Sequence, residues 1–351
     1  MLLAGGMHLS KKFGNTLAEI KAEGFQPAAL IDMEIGGTDA LATARSMALG
    51  TQRFAEAYAK LSPDVLIVLG DRYEMHSAAV AAVPFNIPLV HIAGGNVTEG
   101  AFDDAFRHSI TKLSHIHFAE TEECARRVRQ MGEQPERVFV VGALNIDNLH
   151  GLELPTKDAL FAQYGLDTDK PTLLVTMHPT TRTPGKAEAH IASLLSALET
   201  LKLQAIITAP NADPGGAVML DTIKAFVSTR EWAHYADHLG TKNYFGFLKY
   251  ASAMVGNSSS GPVEAATFRL PVVDIGIRQA GRLAPANVIH CDHDTGATVV
   301  AIQRALSDDF VASLQNLVNP YGDGHAAEKM MDALSSLPPA SELLQKRFSD
   351  V

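Results

Sequence analysis

The chain has 351 residues, 46% of them hydrophobic and 19% charged, and its 29 basic side chains against 39 acidic ones give a net charge of -10. It is too apolar for a disordered chain and long for one α/β domain, so two domains with a ligand cleft between them are expected. The acidic balance repels nucleic acid and anionic membrane, and no basic run offsets it; an anionic ligand would have to be drawn in locally, with Arg72, Arg107, Arg278 and Arg282 as candidates.

Short apolar runs alternate with longer helical patterns, the mark of βαβ units and a parallel sheet covered on both faces. In the first half the pattern predicts strands at Ala28–Ile31, Val65–Leu69, Leu89–Ile92, His115–Ala119 and Val138–Val141. Helices are predicted over Thr38–Lys60, Tyr73–Val83, Asp103–Leu113 and Glu122–Met131, completing one doubly wound domain. Gly142–Asp169 mixes turn formers with one short helical pattern, and the hinge is expected near residues 142–160. A second series follows, with strands at Thr172–Thr176, Ala205–Thr208, Ala253–Val255, Val272–Ile275 and Val288–Ile289. Its helices are expected over Lys186–Leu201, Ala217–Ser228, Pro262–Phe268 and Gly296–Leu306. The expected domains are therefore 1–150 and 151–325, followed by two short helices over 326–351, broken by Pro338 and Pro339, that pack back on the first domain.

Polar residues just after the strands carry the most chemistry, because ligands of open parallel sheets sit beyond the carboxyl ends. Val65–Leu69 ends in Gly70-Asp71-Arg72, where Asp71 reads either as a helix N-cap or as a site carboxylate. After Leu89–Ile92 comes Phe102-Asp103-Asp104-Ala105-Phe106-Arg107, with Asp103 and Arg107 four apart on one helical face. Either a surface ion pair or a site explains that pair, but Asp71, Asp103 and Arg107 all follow neighbouring strands. Two nearby carboxylates with separated pKa values suit acid/base work. His115 and His117 share one strand face, yet no third ligand stands at metal spacing, so polar packing beneath the site is preferred and no metal is expected.

In the second half His178 closes a buried strand at the expected cleft, and a site role is favoured over a core histidine. Asn211 also follows a strand, although Asn is an ordinary turn former. Gly256-Asn257-Ser258-Ser259-Ser260-Gly261-Pro262 is the strongest local signal, a strand tip entering a helix where hydroxyls and free backbone amides suit a phosphate. Glu264, one turn on, would accept hydrogen bonds from a ribose or base. Neither G-x-G-x-x-G nor a P-loop is present, so no nicotinamide or ATP is indicated, and the site is expected to need no cofactor. Cys124 and Cys291 are far apart and form no Cys-x-x-Cys pair, the start of the chain lacks a signal-peptide pattern, and no apolar run reaches the ~20 residues of a membrane helix. A reducing, cytoplasmic setting is expected.

These segments together resemble the hydrolysing UDP-N-acetylglucosamine 2-epimerases of sialic-acid and related nonulosonate pathways. The resemblance rests on Gly6-Met7-His8-Leu9-Ser10 with Phe13-Gly14-Asn15-Thr16, Gly70-Asp71-Arg72, His91-Ile92-Ala93-Gly94-Gly95, the block Asp103–His115, His178-Pro179, Pro210-Asn211-Ala212-Asp213, Asn257-Ser258-Ser259 and Gly276-Ile277-Arg278-Gln279-Ala280-Gly281-Arg282. It implies a GT-B-like pair of Rossmann-like domains and a two-step reaction in which UDP is eliminated across C1–C2 and water then adds with the opposite configuration. It also implies the UDP-sugar as ligand and a homodimer or homotetramer as assembly. By motif, Asp71 and Asp103 would carry the acid/base steps, with Arg107 and His178 near the departing diphosphate. Arg72, Ser258, Ser259, Ser260, Gly261 and Arg278 would hold phosphates, Glu264 the ribose, and Asn211 the nucleotide side. His8, His91, His115 and His117 would support the site.

Two departures stand out. Relatives carry Glu at the position of Ala93 and an acid at that of Asn96, and Glu99 is the residue expected to compensate. Relatives also begin with a further strand and a Gly-Thr-Arg loop, so the chain is expected to start inside the second strand of that pattern, as a truncated or mis-started form. A diacetamido-trideoxy UDP-sugar as substrate, a GT-B glycosyltransferase and an inactive nucleotide-sugar sensor remain as alternatives.

Overall fold

The computed structural model describes residues 1–10, 16–34, 40–99, 102–180, 182–183, 185–211 and 213–350. Phe13-Gly14-Asn15, Ala212 and the start of the helix expected from Thr38 lie outside the described residues. The chain divides into two compact units: residues 1–96, 103–141 and 328–351 form the first, and residues 97–102 with 142–327 form the second.

The first unit opens with strand β1 (Leu3–Gly5), helix α1 (Leu17–Ala22), strand β2 (Ala29–Ile31) and the long helix α2 (Ala40–Leu61). It continues through β3 (Leu66–Leu69), α3 (Tyr73–Ala82), β4 (Leu89–Ile92), α4 (Asp103–Leu113), β5 (Ile116–Ala119), α5 (Glu122–Gln130) and β6 (Val138–Val140). β3–β4–β5–β6 form a four-stranded parallel sheet, whereas among the described residues β1 and β2 pair with each other and not with that sheet. The expected single sheet is therefore in two pieces, although both line one core: Ile31, Met33, Phe54, Tyr58, Val68 and Leu89 are buried together, with Leu3, Ala29 and Leu66 packed against them. Leu30 of β2 and Ile67 and Leu69 of β3 are each about half exposed.

The second unit begins with α6 (Leu144–Asp147) and α7 (Lys157–Gln163), the latter capped by Thr156 Oγ1 accepting from Ala159 N–H at 3.3 Å. Then come β7 (Thr172–Thr176), α8 (Ala187–Leu201), β8 (Gln204–Thr208), α9 (Gly216–Val227), β9 (Ala233–Ala236), α10 (Gly240–Tyr250) and β10 (Ala253–Gly256). The series ends with α11 (Ser260–Val263), β11 (Val272–Ile275), β12 (Val288–Cys291), α12 (Thr295–Ala305) and α13 (Asp308–Ser313). β9 and α10 were not anticipated, because Ala-His-Tyr-Ala offers neither an aliphatic run nor clean alternation. The six strands are all parallel in the order β12-β11-β10-β7-β8-β9. β7, β8, β10 and β11 are buried along their whole lengths, as strands covered by helices on both faces must be. Strand order reverses between β7 and β10, so the loops after these two strands flank the position where such sheets bind ligands.

The tail contributes α14 (Ala326–Ser335) and α15 (Ala340–Leu343). Residues 328–351 group with the first unit. Arg137 Nη1 donates to Leu343 O at 2.7 Å, and Lys346 Nζ donates to Ser114 O at 2.7 Å and Lys112 O at 2.8 Å, satisfying carbonyls at the end of α4. No helix among the described residues is long and apolar enough to cross a membrane.

Candidate functional site

In the first unit, β3 ends at Leu69, Gly70 turns the chain with φ +77°, and Asp71 follows. α4 begins at Asp103, and one turn later Arg107 is buried to 2% exposure, ion-paired with Asp71 and, at 2.8 Å, with Asp104 Oδ1. Arg107 Nη1 also donates to Asn96 O at 3.0 Å. A buried guanidinium satisfied this way fixes its partners, so Asp71 and the first turn of α4 are held as one unit. Asp71 and Arg107 thus meet at the carboxyl ends of β3 and β4, and Asp103 stands one turn before Arg107 on α4.

Arg72 lies beside this group, within 3.9 Å of Met7 Sδ and at 3.5 Å from Glu74. His91 is fully buried and bonds Gly70 O through Nε2 at 2.9 Å and Thr111 Oγ1 through Nδ1 at 3.1 Å. Burial outweighs the hydrogen bond to Gly70 and pushes its imidazole down to about 4. The ring therefore acts as a neutral brace under the Asp71 turn.

The other expected histidines are dispersed. His8 is exposed and bonds Thr16 Oγ1 at 2.7 Å. His115 precedes β5, at the amino end of the sheet, and accepts from Leu89 N–H at 3.1 Å. His117 meets Glu133 at 2.9 Å, a carboxylate that also accepts from Lys112 at 2.6 Å and from Lys346 at 2.7 Å. Burial alone would raise Glu133, but bonds from His117, Lys112 and Lys346 outweigh it and hold the carboxyl down at about 2. This cluster joins the tail to the base of α4.

Ala93 adopts φ +67°, an uncommon conformation for a residue with a Cβ. Asn96 is buried, and its Nδ2 donates to Glu120 Oε2 at 2.6 Å. Glu120, at the end of β5, is a carboxylate the sequence reading did not single out. Glu99 belongs to the second unit, where its backbone N–H donates to Ala280 O at 3.2 Å.

In the second unit the organising residue is Asn257, fully buried after β10. Its Oδ1 accepts from His178 N–H at 2.7 Å, its Nδ2 donates to His178 O at 2.9 Å, and its backbone O accepts from Arg278 Nη1 at 3.0 Å and Gln279 Nε2 at 2.9 Å. Gly256 makes the approach possible, since a Cβ there would stand 1.9 Å from Thr176 O. Asn211 N–H donates to His178 Nδ1 at 3.0 Å. Burial, then the charge of Arg278, holds this imidazole down to about 3. With Nδ1 accepting and the ring neutral, Nε2 carries the proton and is a hydrogen-bond donor.

The helix expected over Pro262–Phe268 is instead a single α-turn, α11, followed by a 3-10 turn at Ala265–Phe268, because Pro262 and Glu264 lie where the geometry changes. Any phosphate cradle at Ser258, Ser259, Ser260 and Gly261 therefore relies on hydroxyls, local amides and Arg278 rather than on a long helix dipole. Ser258 Oγ accepts from Ser260 N–H at 3.3 Å, and Ser260 Oγ donates to Glu264. Glu264 lines a cavity of about 390 Å³ with Asn145, Thr208, Asp237, His238 and Tyr244. Apart from Glu264, these residues were missed because they come from elements, β9 and α10 among them, without a motif. Among the described residues no group of three or more His, Cys, Asp or Glu is placed to hold a metal ion.

The family described as UDP-N-acetylglucosamine 2-epimerase matches residues 1–335. The GDP/UDP-N,N'-diacetylbacillosamine 2-epimerase (hydrolyzing) of Campylobacter jejuni is 36% identical over 100% of this chain and 91% of its own length. The UDP-N,N'-diacetylbacillosamine 2-epimerase (hydrolyzing) of Legionella pneumophila is 35% identical over 97% of this chain and 89% of its own. The crystal structure of the Neisseria meningitidis UDP-GlcNAc 2-epimerase bound to UDP-GlcNAc superposes with a TM-score of 0.80 at 17% identity, covering 96% of this chain and 99% of that one, which makes the fold GT-B-like.

Proposed function

Because the chain belongs to the UDP-N-acetylglucosamine 2-epimerase family, we propose that it hydrolyses a UDP-linked 2-acetamido sugar with inversion at C2, releasing UDP. C2 has no neighbouring carbonyl to acidify its proton. Expelling the diphosphate from C1 solves that problem without redox chemistry: a carboxylate takes the C2 proton, the C1–O bond breaks, and a 1,2-unsaturated sugar remains. Water then adds its oxygen to C1 while C2 is protonated from the opposite face, so the sum is UDP-sugar plus water giving epimerised sugar plus UDP.

The observation that carries this reading is the buried Arg107, which pairs with Asp71 and lies one helical turn from Asp103. Asp71 and Asp103 are assigned the proton transfers, since paired carboxyls in different surroundings can act as acid and base at one pH. In the second unit, the Nε2–H of His178 and the guanidinium of Arg278 are assigned to the departing diphosphate, where stabilising developing charge is the largest expected catalytic contribution. Arg72, Ser258, Ser259, Ser260 and Gly261 are assigned to phosphate oxygens, Glu264 to the ribose, and its adjoining cavity to the nucleoside. Asn211 acts by orienting His178.

For the sugar, we favour a 2,4-diacetamido-2,4,6-trideoxyhexose, as in the names of the Campylobacter and Legionella relatives, with N-acetylglucosamine as the second reading from the family's own description. Incubation with each UDP-sugar in heavy water, followed by NMR, tests both. UDP release with one solvent deuterium at C2 is expected, faster for the diacetamido sugar. Release of neither UDP nor labelled sugar from either nucleotide would remove the proposal, and equal or faster turnover of UDP-N-acetylglucosamine would reverse the preference.

A further inference from the structure

Epimerisation with hydrolysis moves a proton that Asp71 and Asp103 leave unassigned, that of the water attacking C1. Glu120 stands at the same end of the sheet as Asp71. Leu69 of β3, Ile92 of β4 and Phe118 of β5 are in register. Asp71 and Glu120 each follow two residues later, at the carboxyl ends where open parallel sheets bind ligands. Two strand spacings of about 4.7–4.9 Å each put these chain positions roughly 10 Å apart. Side chains can close that span to the about 6.5–9.5 Å at which paired carboxyls flank a sugar and still leave room for a water.

Asn96 links the two carboxylates. Its backbone O accepts from Arg107, the partner of Asp71, and its Nδ2 donates to Glu120 Oε2 at 2.6 Å. Cys124 Sγ donates to Asn96 Oδ1 at 3.3 Å, which fixes the buried amide with its N–H side towards Glu120. The turn itself is tightly seated: an added Cβ at Gly95 would stand 2.2 Å from Cys124 O, and one at Gly94 2.9 Å from His91 Nδ1. Arg107 of α4 and Arg127 of α5 pair with Asp71, Asp104 and Glu123, and among the described residues Glu120 is in no ion pair. Glu120 is half-buried. An amide or hydroxyl oxygen would accept from Asn96 equally well, so that hydrogen bond alone does not account for a carboxylate here.

We propose that Glu120 is the general base of the hydration step, an inference that rests on the epimerase reading. Protonation of C2 by Asp71 or Asp103 draws the C1–C2 π electrons into the new C2–H bond. A lone pair of water then forms the C1–O bond, and the electrons of one O–H bond stay on that oxygen as its proton passes to Glu120, which returns it to solvent. Taking the proton while the C1–O bond forms keeps positive charge from building on the attacking oxygen, which is what a general base contributes. The neutral Asn96 N–H steadies Oε2 without cancelling the charge of the carboxylate, and Oε1 is left for the water.

Glu120→Gln keeps an oxygen to accept from Asn96 and removes the base. The unmodified full chain and this variant are given UDP-2,4-diacetamido-2,4,6-trideoxyhexose and UDP-N-acetylglucosamine, with UDP and the sugar products followed by NMR. In the variant, near-wild-type release of UDP is expected, with the 1,2-unsaturated sugar replacing the epimerised sugar as product. Hydration of the isolated unsaturated sugar, supplied with UDP, should fall by more than about two powers of ten. Wild-type hydration by the variant would overturn the assignment. Equal losses in UDP release and in hydration would overturn it too, since that is what a merely structural carboxylate would give. An unmodified chain that releases no UDP would remove the epimerase reading and the role of Glu120 with it, whereas normal UDP release with intact hydration in Glu120→Gln removes Glu120 alone.

Discussion

Asn257 grips His178 at two points, accepting from its backbone N–H at 2.7 Å and donating to its carbonyl at 2.9 Å, across a separation of 79 residues. Since the same residue's carbonyl receives Arg278 and Gln279, one buried amide sets the positions of two groups assigned to the diphosphate. Asn257→Ala keeps the carbonyl that receives Arg278 and Gln279 but leaves the backbone N–H and carbonyl of His178 unmatched, each at a cost of about 1–3 kcal/mol. A clear drop in thermal midpoint and a loss of at least tenfold in kcat/KM are expected. Calorimetry and UDP-release kinetics check both, and wild-type behaviour in each would show that the hub is dispensable.

Asp103→Asn keeps the shape of the first turn of α4 and removes the carboxylate. Loss of more than about two powers of ten in turnover is expected, the range that a general acid or base supplies. A tenfold loss or less would take Asp103 out of the mechanism.

Arg107 is 2% exposed and pairs with Asp71 and Asp104. Arg107→Met strands two carboxylates in a partly buried setting, and breaking such a pair costs about 3–5 kcal/mol. Urea unfolding near neutral pH should show that loss, and wild-type stability would contradict a structural role for the buried guanidinium.

His91 is fully buried with its pKa lowered to about 4, against an ordinary value of 6.5. Because the unfolded chain takes up this proton first, the stability that goes with a neutral His91 is complete above pH 6.5 and is lost as pH falls from 6.5 towards 4. Glu133, held at about 2, adds a second loss between its ordinary 4.5 and 2. Denaturation profiles of His91→Gln should be flatter than wild type in the upper window only, and parallel profiles would contradict the buried neutral ring.

Lys346 places its ammonium against Glu133 and two carbonyls at the end of α4. Lys346→Ala should loosen the tail, so limited proteolysis should clip the last residues severalfold faster while the rest of the chain stays intact. Unchanged cleavage would assign the tail's hold to Arg137 and to Phe348, which packs on Gly132.

Periodicity alone fixed most of the strands and helices, because each buried parallel strand must be a short aliphatic run and each covering helix must repeat its apolar face. The placement of Asp71, Asp103, His178 and Ser258 just after strands or at helix starts was legible for the same local reason. The alternation could not show that β1 and β2 would pair apart from β3–β6, that β9 would form from Ala-His-Tyr-Ala, or that His115 would bond the start of β4 and His117 the Glu133 cluster at the end of α4 while His91 braces the Asp71 turn. Those outcomes, like the Asn257 hub and the Glu133–Lys346 lock, depend on hydrogen bonds between residues far apart in the chain. Such bonds exist only after the apolar faces have packed and brought buried polar atoms to the partners they require.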